Sequence, residues 1–390
     1  MQKIHELIEK LCTNGVKFEK IENLTNFEQP TKYIVKSTKY NEKYAIPVLT
    51  AGQSFILGYT NEQNGIYNAS KEKPVIIFDD FTGAFKWVDF PFKVKSSAIK
   101  IITAKDNKTT IRYLYHMMGF LKFYSNEHKR LWISVYSQFK VAVPPLEVQC
   151  EIVHILDDFT LLSAELSAEL KARQKQFSYY RECLINNGGH KIRLDKIVDI
   201  YLGLTHTPKY VTSGIKFISA QNTSKDYLDL TNVKYISREE YESITQNAKP
   251  KKGDILFTRV GSNLGHPVIV DTDEELCMFV SLGYLRVKDT SKVSNDYIKH
   301  WINTENFWNQ VRKNVHGSAK VNLNTGWLSK FEISIPNFDE QKKIVNILNV
   351  LERLCNDITL GLPAEIEARQ KQYEYYRDKL LTFKELKVNE

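Results

Sequence analysis

Residues 162–185 read LSAELSAELKARQKQFSYYRECLI, and residues 362–381 read LPAEIEARQKQYEYYRDKLL. Both stretches place apolar residues three or four positions apart, which predicts helices with one apolar stripe. The first stretch contains the tetrapeptide Ser-Ala-Glu-Leu twice in succession, at 163–170, whereas the second has no such duplication. A chain that carries one helical phrase twice is expected to consist of two similar halves.

Other segments repeat in the same order. FKVAVPPLEVQCEIVHIL (139–156) aligns with FEISIPNFDEQKKIVNIL (331–348), and VKFEKIENL (16–24) aligns with IRLDKIVDI (192–200). These repeats indicate two copies of one plan, each a globular body followed by a helical region. Residues 2–12 have the helical pattern of the missing end of the second helical region. We therefore expect the two ends of the chain to meet, which would make the repeat cyclic.

Each body mixes strand-like and helix-like segments. Apolar or β-branched runs predict strands within 43–49, 73–78, 92–102, 214–220, 253–260 and 279–287, and 111–124 and 296–314 are helical in pattern. We predict an α+β fold with two globular α/β domains, separated by two long antiparallel helices that form a coiled coil, in a pseudo-twofold cyclic repeat. The predicted boundaries are 1–15 for an N-terminal helix, 16–145 for the first body, 146–188 for the central helical region, 189–336 for the second body and 337–390 for the C-terminal helical region.

Both helical regions are predicted to be broken once. Gly361 and Pro363 separate a helix at about 339–359 from one at 364–386, and the repeat predicts matching helices at 147–160 and 163–186. Each pair could pack along its apolar seam, or each helix could simply cover the core of its own body, and the repeated seam favours pairing. The predicted seam residues are Leu166, Leu170, Phe177, Tyr180, Leu184, Leu362, Ile366, Tyr373, Tyr376 and Leu380.

Composition narrows the class of protein. The five cysteines are scattered and form no Cys-x-x-Cys pair, which favours a reducing, cytoplasmic location over disulfides or structural zinc. No apolar run is long enough for a membrane span, and the first residues resemble an amphipathic helix rather than a signal peptide. The net charge is +8; residues 1–146 hold 21 bases and 13 acids, and residues 189–336 hold 20 and 16. Two basic bodies are compatible with nucleic acid, or with an ordinary solvated surface.

Motifs for catalysis are missing from the sequence. It has no Gly-x-x-x-x-Gly-Lys phosphate loop, no Gly-x-Gly-x-x-Gly after a strand and no histidines at metal-ligand spacing. VPPL (143–146) lacks the amide and the aromatic residue of an amino-methyltransferase motif. Asp79–Asp80 is a weak candidate for a metal site, and Asp157–Asp158 is better explained by helix capping. We therefore predict no catalytic residue and no metal ligand.

Polar loops in both bodies carry residues suited to DNA. Arginine and lysine bind guanine edges or phosphates, asparagine and glutamine pair with adenine, and serine and threonine hold phosphates. Any one of these residues could belong to an ordinary surface loop, but loops of this kind occur in both bodies with different side chains, as reading two different sequences would require. The candidates are Thr82, Lys86, Lys129, Arg130, Trp132, Ser134, Gln221, Asn222, Arg259, Ser262, Asn263, Ser318, Lys320 and Asn322.

Over essentially its full length the chain resembles the DNA-specificity subunit of Type I restriction-modification systems. The resemblance is carried by PPLEVQCEIVHILDDF (144–159), PNFDEQKKIVNIL (336–348), LSAELSAELKARQKQFSYYR (162–181), LPAEIEARQKQYEYYRDKLL (362–381), IPVLTAGQ (46–53), VDFPFKVKSSA (88–98) and GDILFTRVGSN (253–263). The duplicated Ser-Ala-Glu-Leu is similar to tetrapeptide repeats in one branch of the family, where the first position is often threonine.

The resemblance implies a function. Each body would be a target-recognition domain that reads one half of a bipartite, asymmetric DNA site, and the long helices would act as a ruler. They would also dock two methyltransferase subunits that methylate adenine N6, and restriction and translocase subunits would complete the nuclease. S-adenosylmethionine, ATP and magnesium are expected in those partners, and no cofactor in this chain. Open alternatives are an orphan subunit, a coiled-coil scaffold that binds no DNA, and a methyltransferase or nuclease with an unrecognised motif.

The duplicated tetrapeptide leads to a test. One Ser-Ala-Glu-Leu unit adds about 6 Å of helix and a rotation roughly 40° beyond one full turn, close to the twist of one DNA base pair, about 34–36°. Deleting or adding one unit within 163–170 should therefore change the unread spacer by about one base pair, or at most two. Mapping methylated adenines in cells that carry each variant measures the spacer. A variant that altered the bases read in either half-site would contradict the prediction.

Overall fold

The computed structural model describes residues 2–50, 55–123, 129–244, 246–315, 321–357 and 359–386. They form two compact units: unit 1 comprises residues 1–165 and 366–390, and unit 2 comprises residues 166–365. The helices are α1 (Gln2–Leu11), α2 (Ile21–Leu24), α3 (Ile111–Phe120), α4 (Leu146–Asn186), α5 (Leu194–Ile197), α6 (Arg238–Ser243), α7 (Asn295–Ile302), α8 (Glu305–Asn314), α9 (Thr325–Leu328), α10 (Phe338–Asn356) and α11 (Leu362–Leu381).

The strands of unit 1 are β1 (Lys17–Lys20), β2 (Thr25–Glu28), β3 (Ile46–Leu49), β4 (Ile56–Thr60), β5 (Val75–Asp79), β6 (Phe85–Val88), β7 (Lys93–Val94), β8 (Ile99–Ala104) and β9 (Lys140–Val143). The strands of unit 2 are β10 (His190–Arg193), β11 (Val198–Leu202), β12 (Tyr210–Val211), β13 (Ile215–Ile218), β14 (Lys234–Ile236), β15 (Ile255–Thr258), β16 (Pro267–Ile269), β17 (Leu276–Met278), β18 (Leu282–Val287) and β19 (Glu332–Ile335).

The two units share the strand order of their central sheets, which confirms the internal repeat, and unit 2 adds strand β12 to its second sheet. The central sheet has the order β2-β8-β5-β6 in unit 1 and β11-β18-β15-β16 in unit 2, antiparallel throughout. A second sheet pairs β3 with antiparallel β4 and parallel β7, and its counterpart pairs β13 with antiparallel β14 and parallel β17. A two-stranded sheet, β1-β9 or β10-β19, closes each body.

The central strand of each body is buried on both faces. Every residue of β5 is buried; Ile76 and Phe78 face one hydrophobic cluster, and Val75 and Ile77 face another. Strand β15 follows the same scheme, with Ile255 and Phe257 in one cluster and Leu256 in another. Alternate side chains of a strand point to opposite faces, so each apolar run binds two layers to one sheet. The segments 73–78 and 253–260 predicted these strands correctly.

Helix α4 is continuous over 41 residues, which corrects the predicted break between 160 and 163. No glycine or proline occurs between Leu146 and Asn186, so nothing in the backbone interrupts the helix. The break predicted in the second copy is present: α10 ends at Asn356 and α11 begins at Leu362. Asp357 Oδ1 accepts hydrogen bonds from the backbone N–H groups of Thr359 (2.7 Å) and Leu360 (3.1 Å) in that break.

Within each unit, part of α4 packs on another helix. In unit 1 the ring of Phe159 stacks on Tyr376 of α11 at 5.2 Å. In unit 2, Leu184 of α4 and Ile347 of α10 line one apolar groove. Burial raises the pKa of the Cys355 thiol near the end of α10, and the charge of Arg173, earlier on α4, opposes that rise. The paired helices of unit 2 therefore run antiparallel.

The predicted seam residues mostly face packed surfaces. Tyr180 is the most exposed, with 40 % of its surface accessible, and the other nine are half-buried or buried. The seam pattern therefore identified the packed stripe of α4 and α11. Among the described residues, no helix combines the length and apolar character needed to cross a membrane.

A buried histidine on α3 links this helix to the packed helices α4 and α11. His116 Nε2 lies 2.8 Å from Asp157 Oδ1 on α4, and Nδ1 lies 3.3 Å from the Tyr373 hydroxyl on α11. Burial lowers the pKa of His116, so the neutral ring donates to the carboxylate and accepts from the hydroxyl. Burial raises the pKa of Asp157, but the hydrogen bond from His116 and the charge of Arg112 outweigh it, and the pKa lies below its usual range.

The repeat places His300 of α7 in the same position in unit 2. Its Nε2 lies 2.8 Å from Asn349 Oδ1 on α10, and its ring lies edge-on to Phe177 of α4. Its Nδ1 has no hydrogen-bond partner among the described residues. Burial lowers the pKa of His300 as well. Asn349 and Phe177 thus take the places of Asp157 and Tyr373, so the direct partners of this histidine are uncharged. An ion pair between Lys299 and Glu352 (2.9 Å) joins α7 to α10 beside it.

The ends of the chain meet in unit 1, as the repeat predicts. Val16 N–H donates to the carbonyl of Lys384 at 2.9 Å, and Leu386 N–H donates to the carbonyl of Val16 at 2.9 Å. Ile4 of α1 is fully buried in the cluster that contains Leu380 and Leu381. Helix α1 therefore completes the core against which the last helix packs.

Gly15 allows this close approach, and its substitution provides a test. Its φ is +98°, and a Cβ placed there would lie 2.6 Å from the carbonyl oxygen of Lys384. Gly15→Ala should reduce the free energy of unfolding by about 1–3 kcal/mol, measured by denaturant titration. Gly119→Ala is the matched control, because this glycine is helical and its added Cβ would lie 3.8 Å from the nearest atom, Phe85 Cζ. Equal stability of the two variants would contradict the assigned contact.

Candidate DNA interface

The hairpin turn between β5 and β6 is held by Asp79. Its Oδ1 accepts hydrogen bonds from the backbone N–H groups of Phe81 (2.8 Å) and Thr82 (3.2 Å), and Gly83 adopts a φ of +74°. Gly83 N–H closes the turn on the carbonyl of Asp79 at 3.0 Å. The carboxylate therefore shapes the backbone and leaves the Thr82 side chain exposed at the surface.

Asp80 fastens a second segment to this turn. Its carbonyl accepts from Leu131 N–H at 2.8 Å, and its Oδ1 accepts from Trp132 N–H at 2.9 Å. Its other carboxylate oxygen lies 3.3 Å from the Nζ of buried Lys100. The carboxylates of Asp79 and Asp80 thus accept hydrogen bonds from backbone N–H groups, and that of Asp80 also forms an ion pair with Lys100. We name residues 79–84 together with 129–134 turn cluster 1.

Unit 2 repeats this arrangement with different side chains. Leu323 N–H donates to the carbonyl of Arg259 at 3.1 Å, and Arg259 Nε donates back to the carbonyl of Leu323 at 3.0 Å. Leu323 lies 192 residues after Leu131, which is the offset between the aligned repeats 139–156 and 331–348. Arg259 therefore occupies the position of Asp80. We name residues 259–266 together with 321–324 turn cluster 2.

A short 3-10 turn, Ala220–Thr223, joins turn cluster 2. Asn263 Nδ2 donates to the carbonyl of Thr223 at 3.4 Å, and the hydroxyls of Thr223 and Thr258 lie 3.3 Å apart. The turn that carries Gln221 is therefore joined to turn cluster 2 through Thr223. Nearby, hydrogen bonds from Lys225 and then Thr231 hold the pKa of Asp229 well below its usual range.

The structure therefore brings the sequence candidates together within each unit. Lys86 is exposed on β6, directly after turn cluster 1. Arg259 and Asn263 are half-buried, and Ser318 and Lys320 lie outside the described residues. The other exposed candidates are Thr82, Lys129, Arg130, Ser134, Gln221, Ser262 and Asn322.

Two of the predicted DNA-binding residues, Trp132 and Asn222, are buried instead. Trp132 is only 1 % exposed and packs against Phe78 and Tyr136, so its ring is part of the core. Asn222 is 6 % exposed; its Oδ1 accepts from Ser219 N–H, and its Nδ2 donates to the carbonyls of Asp229 and Asn232. Both side chains hold the fold and are unavailable to DNA in this conformation.

Sequence reasoning missed the role of Asp80 and Leu131 as the connection between the two segments of turn cluster 1. The offset of 192 residues, which aligns Leu131 with Leu323, was the available signal. Among the described residues, no three His, Cys, Asp or Glu side chains are grouped so as to hold a metal ion.

Comparison with known proteins identifies the family. The family described as Type I restriction modification DNA specificity domain matches residues 14–173 and 204–368, one match in each copy of the repeat. The chain belongs to this family. It is 40 % identical over 395 residues to the Type I restriction enzyme EcoR124I/EcoR124II specificity subunit of Escherichia coli, covering 96 % of both chains. It is 30 % identical over 404 residues to a Haemophilus influenzae type I specificity subunit, covering 98 % of this chain and 100 % of that one.

Solved structures of the family share the fold. The S subunit of a Type I restriction-modification system from M. genitalium superposes with a TM-score of 0.56 at 11 % identity, covering 94 % of this chain and 96 % of that one. A chain from a structural study of complex assembly in the type I system gives a TM-score of 0.55 at 14 % identity, covering 94 % and 97 %. Type I specificity subunits bind DNA, assemble with other subunits and are non-catalytic. Family membership thus confirms the expectation that this chain is not an enzyme by itself.

The contrast between Gln221 and Asn222 gives a test of this assignment. Asn222→Ala removes four hydrogen bonds from a buried site, two accepted from Ser219 and two donated to backbone carbonyls. It should reduce the free energy of unfolding by about 1–3 kcal/mol. Gln221→Ala, at the exposed neighbour, should leave stability within about 0.5 kcal/mol and weaken binding to cognate DNA. Chemical denaturation and a DNA titration on both variants separate the two roles. The assignment is wrong if Gln221→Ala destabilises as much as Asn222→Ala.

Proposed function

We propose that this chain is the DNA-recognition subunit of a Type I restriction-modification complex and reads a bipartite, asymmetric site. The observation that carries the proposal is the pair of turn clusters. The same backbone bridge, Asp80 to Leu131 or Arg259 to Leu323, holds different side chains in the two units. A shared frame with different contact groups suits two different half-sites.

The chemistry of each cluster fits DNA. Turn cluster 2 presents Arg259, whose Nε is bonded to the carbonyl of Leu323, so its terminal guanidinium N–H groups remain to bind a guanine edge or a phosphate. Turn cluster 1 presents Thr82 and Arg130, with Lys86 beside it. Strong salt dependence of binding follows from such phosphate contacts.

The remaining parts of the proposal concern partners. The helices α4, α10 and α11 would dock two methyltransferase subunits that modify adenine N6, and restriction and translocase subunits would join them. S-adenosylmethionine, ATP and magnesium would be bound by those partners and not by this chain. The complex would act in the cytoplasm, where the five cysteines remain free thiols.

Methylation mapping tests the proposal. Genomes with and without the gene should differ in methylated adenines that define two unrelated half-sites at a fixed separation. In the complex, Arg259→Ala should weaken binding about tenfold and relax the reading of one half-site only. Arg312→Ala is the matched control, because Arg312 is exposed in the same unit but pairs with Glu305 on α8. An unchanged methylome, or relaxed reading of both half-sites by Arg259→Ala, would count against the proposal.

A further inference from the structure

Turn cluster 1 exposes apolar side chains. Phe81 is 39 % exposed in the hairpin turn, and Ile133 is 62 % exposed in the segment bonded to that turn. The corresponding positions in unit 2, counted from the shared backbone bridge, are the half-buried residues Val260 and Thr325. The exposed candidates of turn cluster 2 are polar, Ser262 and Asn322. The two units therefore differ in the kind of chemical group that they present.

The exposed side chains are held in place by their neighbours. Phe81 N–H is bonded to Asp79, and Ile133 directly follows Trp132, which is buried. Phe27 of β2 is 46 % exposed and its ring lies edge-on to Trp132 at 6.4 Å, so a further partly exposed aromatic ring adjoins the segment that carries Ile133. A contact made by Phe81 or Ile133 would therefore cost little ordering of the backbone.

The charges around this surface favour an anionic partner. Arg130 is exposed and lies in the segment that carries Ile133, whereas Lys86 is exposed on β6, after the turn that carries Phe81. The carboxylates of Asp79 and Asp80 are buried and accept hydrogen bonds from backbone N–H groups, so they present little negative charge outward. A partner that combines negative charge with small apolar groups matches this surface.

Given the proposed function, we propose that turn cluster 1 reads thymine through its 5-methyl group. Phe81 and Ile133 pack on thymine methyls in the major groove, while Arg130 neutralises a flanking phosphate. The methyl group of thymine is the apolar feature of the major-groove edge, and apolar side chains recognise it by contact. Unit 2, with Arg259, Asn263 and Asn322, reads its half-site through hydrogen bonds instead.

Deoxyuridine substitution tests this directly, because it removes the methyl and keeps every hydrogen-bonding group. The full chain, in complex with its methyltransferase partners, is titrated with duplexes in which each thymine of the mapped site is replaced singly by deoxyuridine. At least one replacement in one half-site should weaken binding about fourfold. Replacements in the other half-site should leave affinity unchanged.

Variants assign the effect to residues. Phe81→Ala and Ile133→Ala should weaken binding to thymine DNA about fourfold to tenfold and should abolish the difference between thymine and deoxyuridine. Phe81→Leu and Ile133→Val should preserve the difference, because they keep an apolar contact. Leu57→Ala is the matched control: Leu57 is an exposed apolar residue of the same unit on β4, in a different sheet, and the variant should behave like the wild type.

Two outcomes would overturn the inference. One is specific binding that no deoxyuridine replacement weakens. The other is an equal loss by Phe81→Ala on thymine and deoxyuridine DNA, which would indicate an apolar wedge between base steps instead of methyl recognition. Failure of the proposed function is distinguishable, since the unmodified duplex would then show no specific binding at all.

Discussion

The fully buried central strand of each body, β5 or β15, is the constraint on which the rest of the structure depends. Each has a hydrogen-bonded neighbour on both sides and hydrophobic clusters on both faces. The side chains of such a strand are buried in the core on both faces and cannot be exposed at the surface. Chemical variation is therefore confined to the turn at the strand's end and to the segment that is bonded to it. The scaffold stays the same while the contact groups change.

In the helical regions, the two copies of the repeat use different side chains at equivalent positions. His116 is held by a carboxylate and a hydroxyl, whereas His300 is held by an amide and a ring. Both histidines connect a helix of the body to the helical region. The position of the histidine is therefore retained, although its hydrogen-bond partner changes from a carboxylate to an amide. Likewise, α4 is continuous, whereas the second copy breaks between Asn356 and Leu362, and Pro363 lies in the first turn of α11. The four additional residues of the second copy are accommodated where that break occurs.

Much of the fold was predictable, because it depends on local pattern. The strand-like runs at 73–78, 253–260 and 279–287 became β5, β15 and β18, and the repeated phrases predicted equivalent halves. The predicted break in α4 was wrong because the repeat was extended across a stretch that has no glycine or proline. The candidate site was predicted less well. Trp132 and Asn222 were chosen for their residue type, but tertiary contacts determine their burial. The ring of Trp132 packs on the distant residue Phe78, and the amide of Asn222 bonds across its own loop to Asn232.

The sequence by itself determined the number of copies, their cyclic order, the apolar stripes of the helices and the strands of the two cores, because these depend on spacing between near neighbours. Only the tertiary structure decided which loop residues lie side by side. The hydrogen bonds from Leu131 to Asp80 and from Leu323 to Arg259 join segments about 50 and 60 residues apart, which no local pattern encodes. In unit 1 the bond from Leu131 to Asp80 joins the two segments on which Phe81 and Ile133 are exposed. The buried carboxylates of Asp79 and Asp80 accept hydrogen bonds from backbone N–H groups of the same two segments. The duplicated tetrapeptide is visible in the sequence, but the uninterrupted helix around it is a property of the folded chain.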